Sequence, residues 1–150
     1  MDFKKKTVFI TGASSGIGEA LAYEYAGNSV NLVLIARRME RIEQIQKRIE
    51  EAGGQALAIP GDVNVPQDLE RAVRDAVDRF GGLDIVIANA GFGVIGQFQA
   101  LKVADYRTQF ETNVFGVLNT VVATLPELKK SKGWLAIMGS VMSYVSLPGQ

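Results

Sequence analysis

The sequence has no cysteine and no histidine. The first absence excludes disulfides, a thiolate nucleophile and a thiolate zinc site. The second excludes an imidazole base, and with it any Ser-His-Asp triad. Acid–base chemistry is left to Asp, Glu, Lys or Tyr, and we expect no metal. Net charge is lacking too: 16 Lys and Arg balance 16 Asp and Glu. No global field therefore favours nucleic acid or an anionic membrane. The run Lys4, Lys5, Lys6 is short and reads as a solvated lead-in. No apolar run reaches the roughly 18 residues of a membrane span. No targeting peptide shows, because the apolar stretch after Lys6 extends only from Val8 to Ile10. The expectation is one soluble, cytoplasmic domain over residues 1–150 that handles a small molecule.

What is present alternates between two periodicities. Thr7–Thr11 is short and β-branched, and Gly12 ends it. Residues 16–26 read as a helix with Ile17, Leu21 and Tyr25 inward. Residues 30–36 form an apolar strand. Residues 39–52 form a helix with the stripe Met39, Ile42, Ile45, Ile49, a Glu43–Lys47 pair, and Gly53-Gly54 as its stop. Residues 55–60 are a third strand. Pro66 opens a helix that turns Leu69, Val73, Val77 and Phe80 inward and stops at Gly81-Gly82. Residues 83–88 are a fourth strand, 103–130 a long helical region, and 134–138 a fifth, buried strand ending at Gly139 and Ser140. A loop of small, turn-prone residues follows. Strands apolar on both faces that alternate with helices predict a doubly wound parallel α/β sheet. Residues 113–125 are apolar nearly all round, so that helix wants a second partner.

The stretch TGASSGIG, residues 11–18, joins the first strand to the first helix. Gly12, Gly16 and Gly18 suit a dinucleotide turn: one for the tight turn, one for approach of backbone to pyrophosphate, one for close helix packing. The helix N-terminus, including Ile17, turns unpaired N–H groups toward phosphate, and Ser14 and Ser15 add hydroxyls. Purely steric glycines are the alternative. No Gly-Lys-Ser/Thr follows Gly18, so this is not an NTPase loop. At the end of the second strand an acidic residue would bind the ribose of NAD. Here Arg37 and Arg38 follow Ala36. A guanidinium suits a 2′-phosphate, and one charge-assisted bond of about 1.5–3 kcal/mol gives roughly a ten- to hundredfold preference for NADP. We expect NADP, with NAD the weaker ligand and Arg37 ahead of Arg38. The alternative is two solvated residues at a helix start.

TGASSGIG, Asp62-Val63, Asn89-Ala90-Gly91, Asn113 and Gly139-Ser140, in this order and spacing, resemble the short-chain dehydrogenase/reductase (SDR) family over the whole chain. The resemblance implies a Rossmann-type sheet with NAD(P)(H) across its strand ends. It places Asp62 at the adenine amino group with Val63 beside it. Asn89, Ala90 and Gly91 would line the cofactor and brace the central strand. Arg37 falls where NADP-preferring members carry a basic residue. Asn113 would distort its helix and hold a proton-relay water, and Ser140 would orient the substrate oxygen. The implied activity interconverts a carbonyl and a secondary alcohol, and the implied full-length parent is a homodimer or homotetramer. The family's proton donor is a Tyr in a YxxxK motif, which at family spacing falls just past Gln150. Tyr144 has Pro148, not Lys, four positions on and reads as a loop residue. We therefore expect the N-terminal, cofactor-binding part of a reductase, truncated after the fifth strand and inactive alone. Loss of a positioned proton donor costs about 10²–10⁴-fold in rate. The alternative is a non-catalytic NAD(P)-binding sensor or scaffold. Phe92, Val94, Ile95 and Phe98 would supply an apolar wall or simply core.

Overall fold

The computed structural model describes residues 5–27, 29–141 and 144–145. Lys4 and most of the loop after Val141 lie outside the described residues. The elements are β1 (Thr7–Thr11), α1 (Gly16–Ala26), β2 (Asn31–Ala36), α2 (Met39–Glu51), β3 (Gln55–Pro60), α3 (Pro66–Phe80), β4 (Ile85–Ala88), α4 (Val103–Phe110), a π-helical turn (Glu111–Phe115), α5 (Gly116–Ser131) and β5 (Trp134–Ile137). A 3-10 turn, Phe98–Ala100, precedes α4. The five strands form one parallel sheet in the order β3-β2-β1-β4-β5. The chain builds outward from β1 to β3, then crosses to the other side of β1 for β4.

Side chains alternate between two covered faces, as the period-2 geometry of strands requires. Val8, Ile10, Leu32 and Leu34 join Ile42, Ile45 and Ile49 of α2 in one cluster. Phe9, Val33, Ile35 and Val86 join Ala72, Val73 and Ala76 of α3 and Leu128 of α5 in the other. This is why the strands read as unbroken apolar runs. The helix punctuation is local chemistry. Pro66 occupies the first turn of α3, where its missing N–H costs nothing. Gly81 ends α3 in the left-handed conformation at φ 86°. At the opposite end of the sheet, the Asp84 carboxylate accepts from the Thr7 amide at 2.9 Å and from Lys6 Nζ at 2.7 Å, pinning the start of β1 to β4.

Three details differ from the sequence reading. The fifth strand is not buried: Trp134 is 62% and Ile137 56% exposed. It pairs with β4 on one side only and is one edge of the sheet, β3 being the other. In α1 the fully buried residues are Gly18 and Ala22; Leu21 and Tyr25 are half-buried against the core, and Ile17 alone of the expected stripe is exposed, at 59%. The first turn of the helix starts so close to the β1 turn that only glycine fits beneath it at position 18. The Lys47 ammonium meets Glu51, not Glu43. The long helical region is interrupted by the π-helical turn centred on Asn113, where the family resemblance implied a distorted helix.

Candidate functional site

The sheet order reverses at β1, so the loops after β1 and β4 diverge and open a crevice between them. Open α/β sheets bind ligands at this position. The crevice has a volume of about 440 Å³. The predicted residues Gly12, Ser14, Ser15, Gly16, Ile17, Arg37, Arg38, Asp62, Val63, Asn89, Ala90 and Gly91 all line it. Gly18 lies beneath, and a second cavity of about 750 Å³ continues past Ile17 and Gly91 to Asn113 and Ser140. The two cavities share Ile17, Asn89, Ala90, Gly91 and Phe92, and so form one cleft.

Each glycine of the turn has its own reason. Gly12 takes φ +68°, and a Cβ there would lie 2.8 Å from the Ala90 Cα. Gly18 would place a Cβ 2.5 Å from the Gly12 carbonyl oxygen. Gly16 takes φ +59°, and its Cβ would meet nothing within 4 Å. The first two are squeezed by protein; the third faces open cleft. Ser15 precedes α1 in extended conformation without a side-chain cap on the helix. The first amides of α1 thus remain free donors at the cleft floor. A diphosphate fits this cradle: bare amides, a glycine without a side chain, and hydroxyls of Ser14 and Ser15.

The two arginines have different partners. Arg38 Nη2 donates to Ser14 Oγ at 3.0 Å and to Ser15 Oγ at 2.8 Å, clasping the turn to the end of β2. Arg37 is 76% exposed at its side chain and stands 3.9 Å from Asp62 Oδ2. A pair that long and exposed is worth at most about 1 kcal/mol, so the guanidinium remains free to engage an anion. Asp62 is held by its neighbours: its amide donates to Asp68 Oδ2 at 3.0 Å and its Oδ1 accepts from the Asn64 amide at 3.0 Å.

Across the cleft, Asn89 Nδ2 donates to the carbonyls of Thr11 at 3.0 Å and Gly12 at 3.4 Å. Thr11 Oγ1 accepts from the amides of Asn89 and Ala90, at 3.0 and 3.1 Å. These bonds fix the two cleft loops to each other. Thr11 was not singled out in the sequence. A buried hydroxyl at the end of an apolar strand was the available signal, but threonine is also an ordinary strand former.

Asn113 sits in the π-helical turn. Its Oδ1 accepts from the Phe92 amide at 3.1 Å and its Nδ2 donates to the Phe92 carbonyl at 2.8 Å. The side chain thereby stands in for a neighbouring strand and fixes the loop after β4. Phe92, Val94 and Ile95 line the second cavity rather than a core, while Phe98 is 81% exposed and meets Tyr106 with ring centroids 6.2 Å apart. Ser140 lines the same cavity. Tyr144 is 92% exposed. Among the described residues, no cluster of metal-binding side chains occurs, and no helix is long and apolar enough to cross a membrane.

An open parallel sheet with a glycine turn at its switch point defines a Rossmann-type α/β domain. The family model described as short chain dehydrogenase matches residues 6–150, and the chain belongs to that family. It is 39% identical over 145 residues to 11-beta-hydroxysteroid dehydrogenase 1A of Arabidopsis thaliana, covering 95% of this chain and 42% of the plant protein. It is 37% identical to an uncharacterized oxidoreductase of Listeria innocua, covering 99% of this chain and 60% of that protein. Among solved structures it resembles an alcohol dehydrogenase of Thermococcus sibiricus complexed with 5-hydroxy-NADP, with TM-score 0.90, 34% identity, 96% of this chain and 62% of that chain covered. It also resembles a short chain dehydrogenase/reductase of Burkholderia phymatum in complex with NAD, with TM-score 0.93, 26% identity, and 99% and 54% covered. The chain thus spans roughly half of the relatives it matches, 42% to 62% of their length.

Proposed function

We propose that this chain is the cofactor-binding part of an NADP(H)-dependent oxidoreductase that interconverts a carbonyl and a secondary alcohol. The observation that carries the reading is the cradle of free α1 amides, open Gly16 and serine hydroxyls, with two guanidiniums at its rim. The α1 amides and Gly16 hold the diphosphate. Arg37 grips the 2′-phosphate, with Arg38 releasing its serine partners to share it. Asp62 receives the adenine amino group, with Val63 beside it, and Asn89, Ala90 and Gly91 form the opposite wall. When bound, the nicotinamide supplies the hydride, and a carbonyl becoming an alcohol also takes one proton. Ser140 orients the substrate oxygen, and Asn113 holds a water for proton relay. The apolar side chains of Phe92, Val94 and Ile95 exclude bulk water from that end.

No Tyr of these residues has a Lys four positions later, so the expectation for the 150 residues alone is binding without turnover. Turnover of a ketone by this chain would remove that part of the proposal. A cytoplasmic location and a homodimeric or homotetrameric parent belong to the same reading. The exposed Leu118, Val122 and Leu125 of α5 support the assembly. Calorimetric titration with NADPH and NADH tests the cofactor. Arg37→Asp is expected to reduce the NADPH preference roughly ten- to hundredfold. An unchanged ratio would reassign the 2′-phosphate contact away from Arg37.

A further inference from the structure

The π-helical turn touches both halves of the cleft through adjacent residues. Thr112 lines the crevice beside Asp62, and its Oγ1 accepts from Asn64 Nδ2 at 3.1 Å. Asn113, next in sequence, holds Phe92 at the other end of the cleft. The loop after β3 is also seated on α5. Asn119 Nδ2 donates to the Val63 carbonyl at 3.0 Å. Gly116 packs against the same residue: a Cβ there would lie 2.5 Å from Val63 Cγ2 and 3.3 Å from Asn64 Oδ1. Asn64 Oδ1 is itself buried without a hydrogen-bond partner. An amide left half-satisfied in a buried place is costly, and its other end reaches the turn that carries Asn113.

We infer that Asn64 and Thr112 are positioning residues: their bond sets the π-helical turn so that Asn113 meets the Phe92 backbone. A turn with five-residue spacing carries one residue more than an α-helical turn, and such bulges occur often at functional sites. Thr112 lines the first cavity and Asn113 the second, as neighbours about 100° apart around a helix can. The Asn64 amide fixes the first of the pair, and the peptide bond between them carries that constraint to the second. Asn64 and Val63 adjoin Asp62, but that loop keeps bonds of its own, from the Asp62 amide to Asp68, from the Asn64 amide to Asp62 and from Asn119 to the Val63 carbonyl, so the adenine end does not depend on the Thr112 hydroxyl.

Amide hydrogen exchange of the free chain, resolved by NMR, tests the support without any ligand. Thr112→Val removes the hydroxyl and keeps the shape. The Phe92 amide is then expected to exchange roughly three- to tenfold faster, as for loss of one ordinary hydrogen bond. The Asn89 and Ala90 amides, held by Thr11, are expected to stay as they were. Thr112→Ser restores the hydroxyl and is expected to restore the Phe92 rate. An unchanged Phe92 rate in Thr112→Val overturns the inference. So does equal acceleration at Phe92, Asn89 and Ala90, which is the signature of general loosening.

A second measurement rests on the nucleotide reading. The affinity of NADPH relative to 2′,5′-ADP, which lacks the nicotinamide half, is expected to fall about threefold or more in Thr112→Val. The 2′,5′-ADP affinity alone is expected to hold within about twofold. A parallel loss of both affinities assigns Thr112 to the adenine end only and overturns the inference. If the wild-type chain binds neither molecule, the proposed function falls, and the exchange measurement still decides the positioning role.

Discussion

A methyl group added at Gly18 would lie 2.5 Å from the Gly12 carbonyl oxygen and 2.7 Å from Asn89 Nδ2. The first is backbone and the second a side-chain end held by bonds to the carbonyls of Thr11 and Gly12, so α1 must move away from β1. At Gly16 the added methyl meets nothing within 4 Å, and only its φ of +59° opposes it. The two substitutions therefore separate stability from binding. Gly18→Ala is expected to lower stability by about 1–3 kcal/mol, as overpacking does, read as an earlier urea midpoint. Gly16→Ala is expected to cost about 1–2 kcal/mol of backbone strain, and to weaken NADPH binding beyond that loss because its methyl stands in the cleft. If Gly16→Ala binds NADPH as wild type does, the diphosphate does not cross Gly16. The glycine spacing was legible because its causes are local: a turn, a φ and a close approach. The bond of Arg38 to Ser14 and Ser15 was not, although the sequence had put Arg37 ahead of Arg38. Which guanidinium swings onto Ser14 and Ser15 depends on the path of the chain as it leaves β2, and adjacent identical residues carry no sign of it.

At the scale of elements, the amphipathic helices were legible and the marginal ones were not. In α2 and α3 the apolar stripe is the core-facing side, α2 packing on the sheet and α3 on the sheet and α5. Ile42 is fully buried, whereas Ile17, at the start of α1, is 59% exposed. Both read as inward from periodicity alone. Ile42→Ala is therefore expected to cost about 2–5 kcal/mol, and Ile17→Ala to change stability by no more than about 0.5 kcal/mol. Chemical denaturation of the two variants checks this; similar losses would mean that α1 packs by its periodic stripe after all. The distinction escapes the sequence because the first turn of α1 meets β1 through Gly18, which contributes little to a hydrophobic pattern, and only further along do Leu21 and Tyr25 reach the core. The fifth strand illustrates the converse. Its apolar residues predict burial, but burial needs cover on both faces: β3 is also an edge strand, yet Ala56, Ala58 and Ile59 are buried, and which faces are covered is a tertiary property. The interruption at Glu111–Phe115 left no mark in periodicity either; only the family resemblance at Asn113 pointed to it.

The molecule as a whole offers a linkage test of the nucleotide reading. The cleft is walled by loops from β1, β2, β3 and β4, which unfolding separates, so a ligand seated there binds the folded state alone. Such a ligand at a hundred times its dissociation constant stabilises by about 2.7 kcal/mol. For a chain of this size each kcal/mol raises the melting midpoint by roughly 2–4 °C. Saturating NADPH is thus expected to raise it by roughly 5–11 °C, and NADH at the same concentration by less. The difference should shrink as salt rises, because the Arg37 side chain is 76% exposed and exposed charges are screened over about 8–10 Å at moderate ionic strength. The part of the shift common to both nucleotides should resist salt better, since α1 amides at the cleft floor hold the diphosphate from a partly enclosed position. Thermal denaturation of wild type and Arg37→Asp, with each nucleotide at low and high salt, separates the two contributions. Equal shifts by NADPH and NADH at low salt would remove the guanidinium from the recognition of the 2′-phosphate. A midpoint indifferent to both nucleotides would empty the cleft of its proposed ligand.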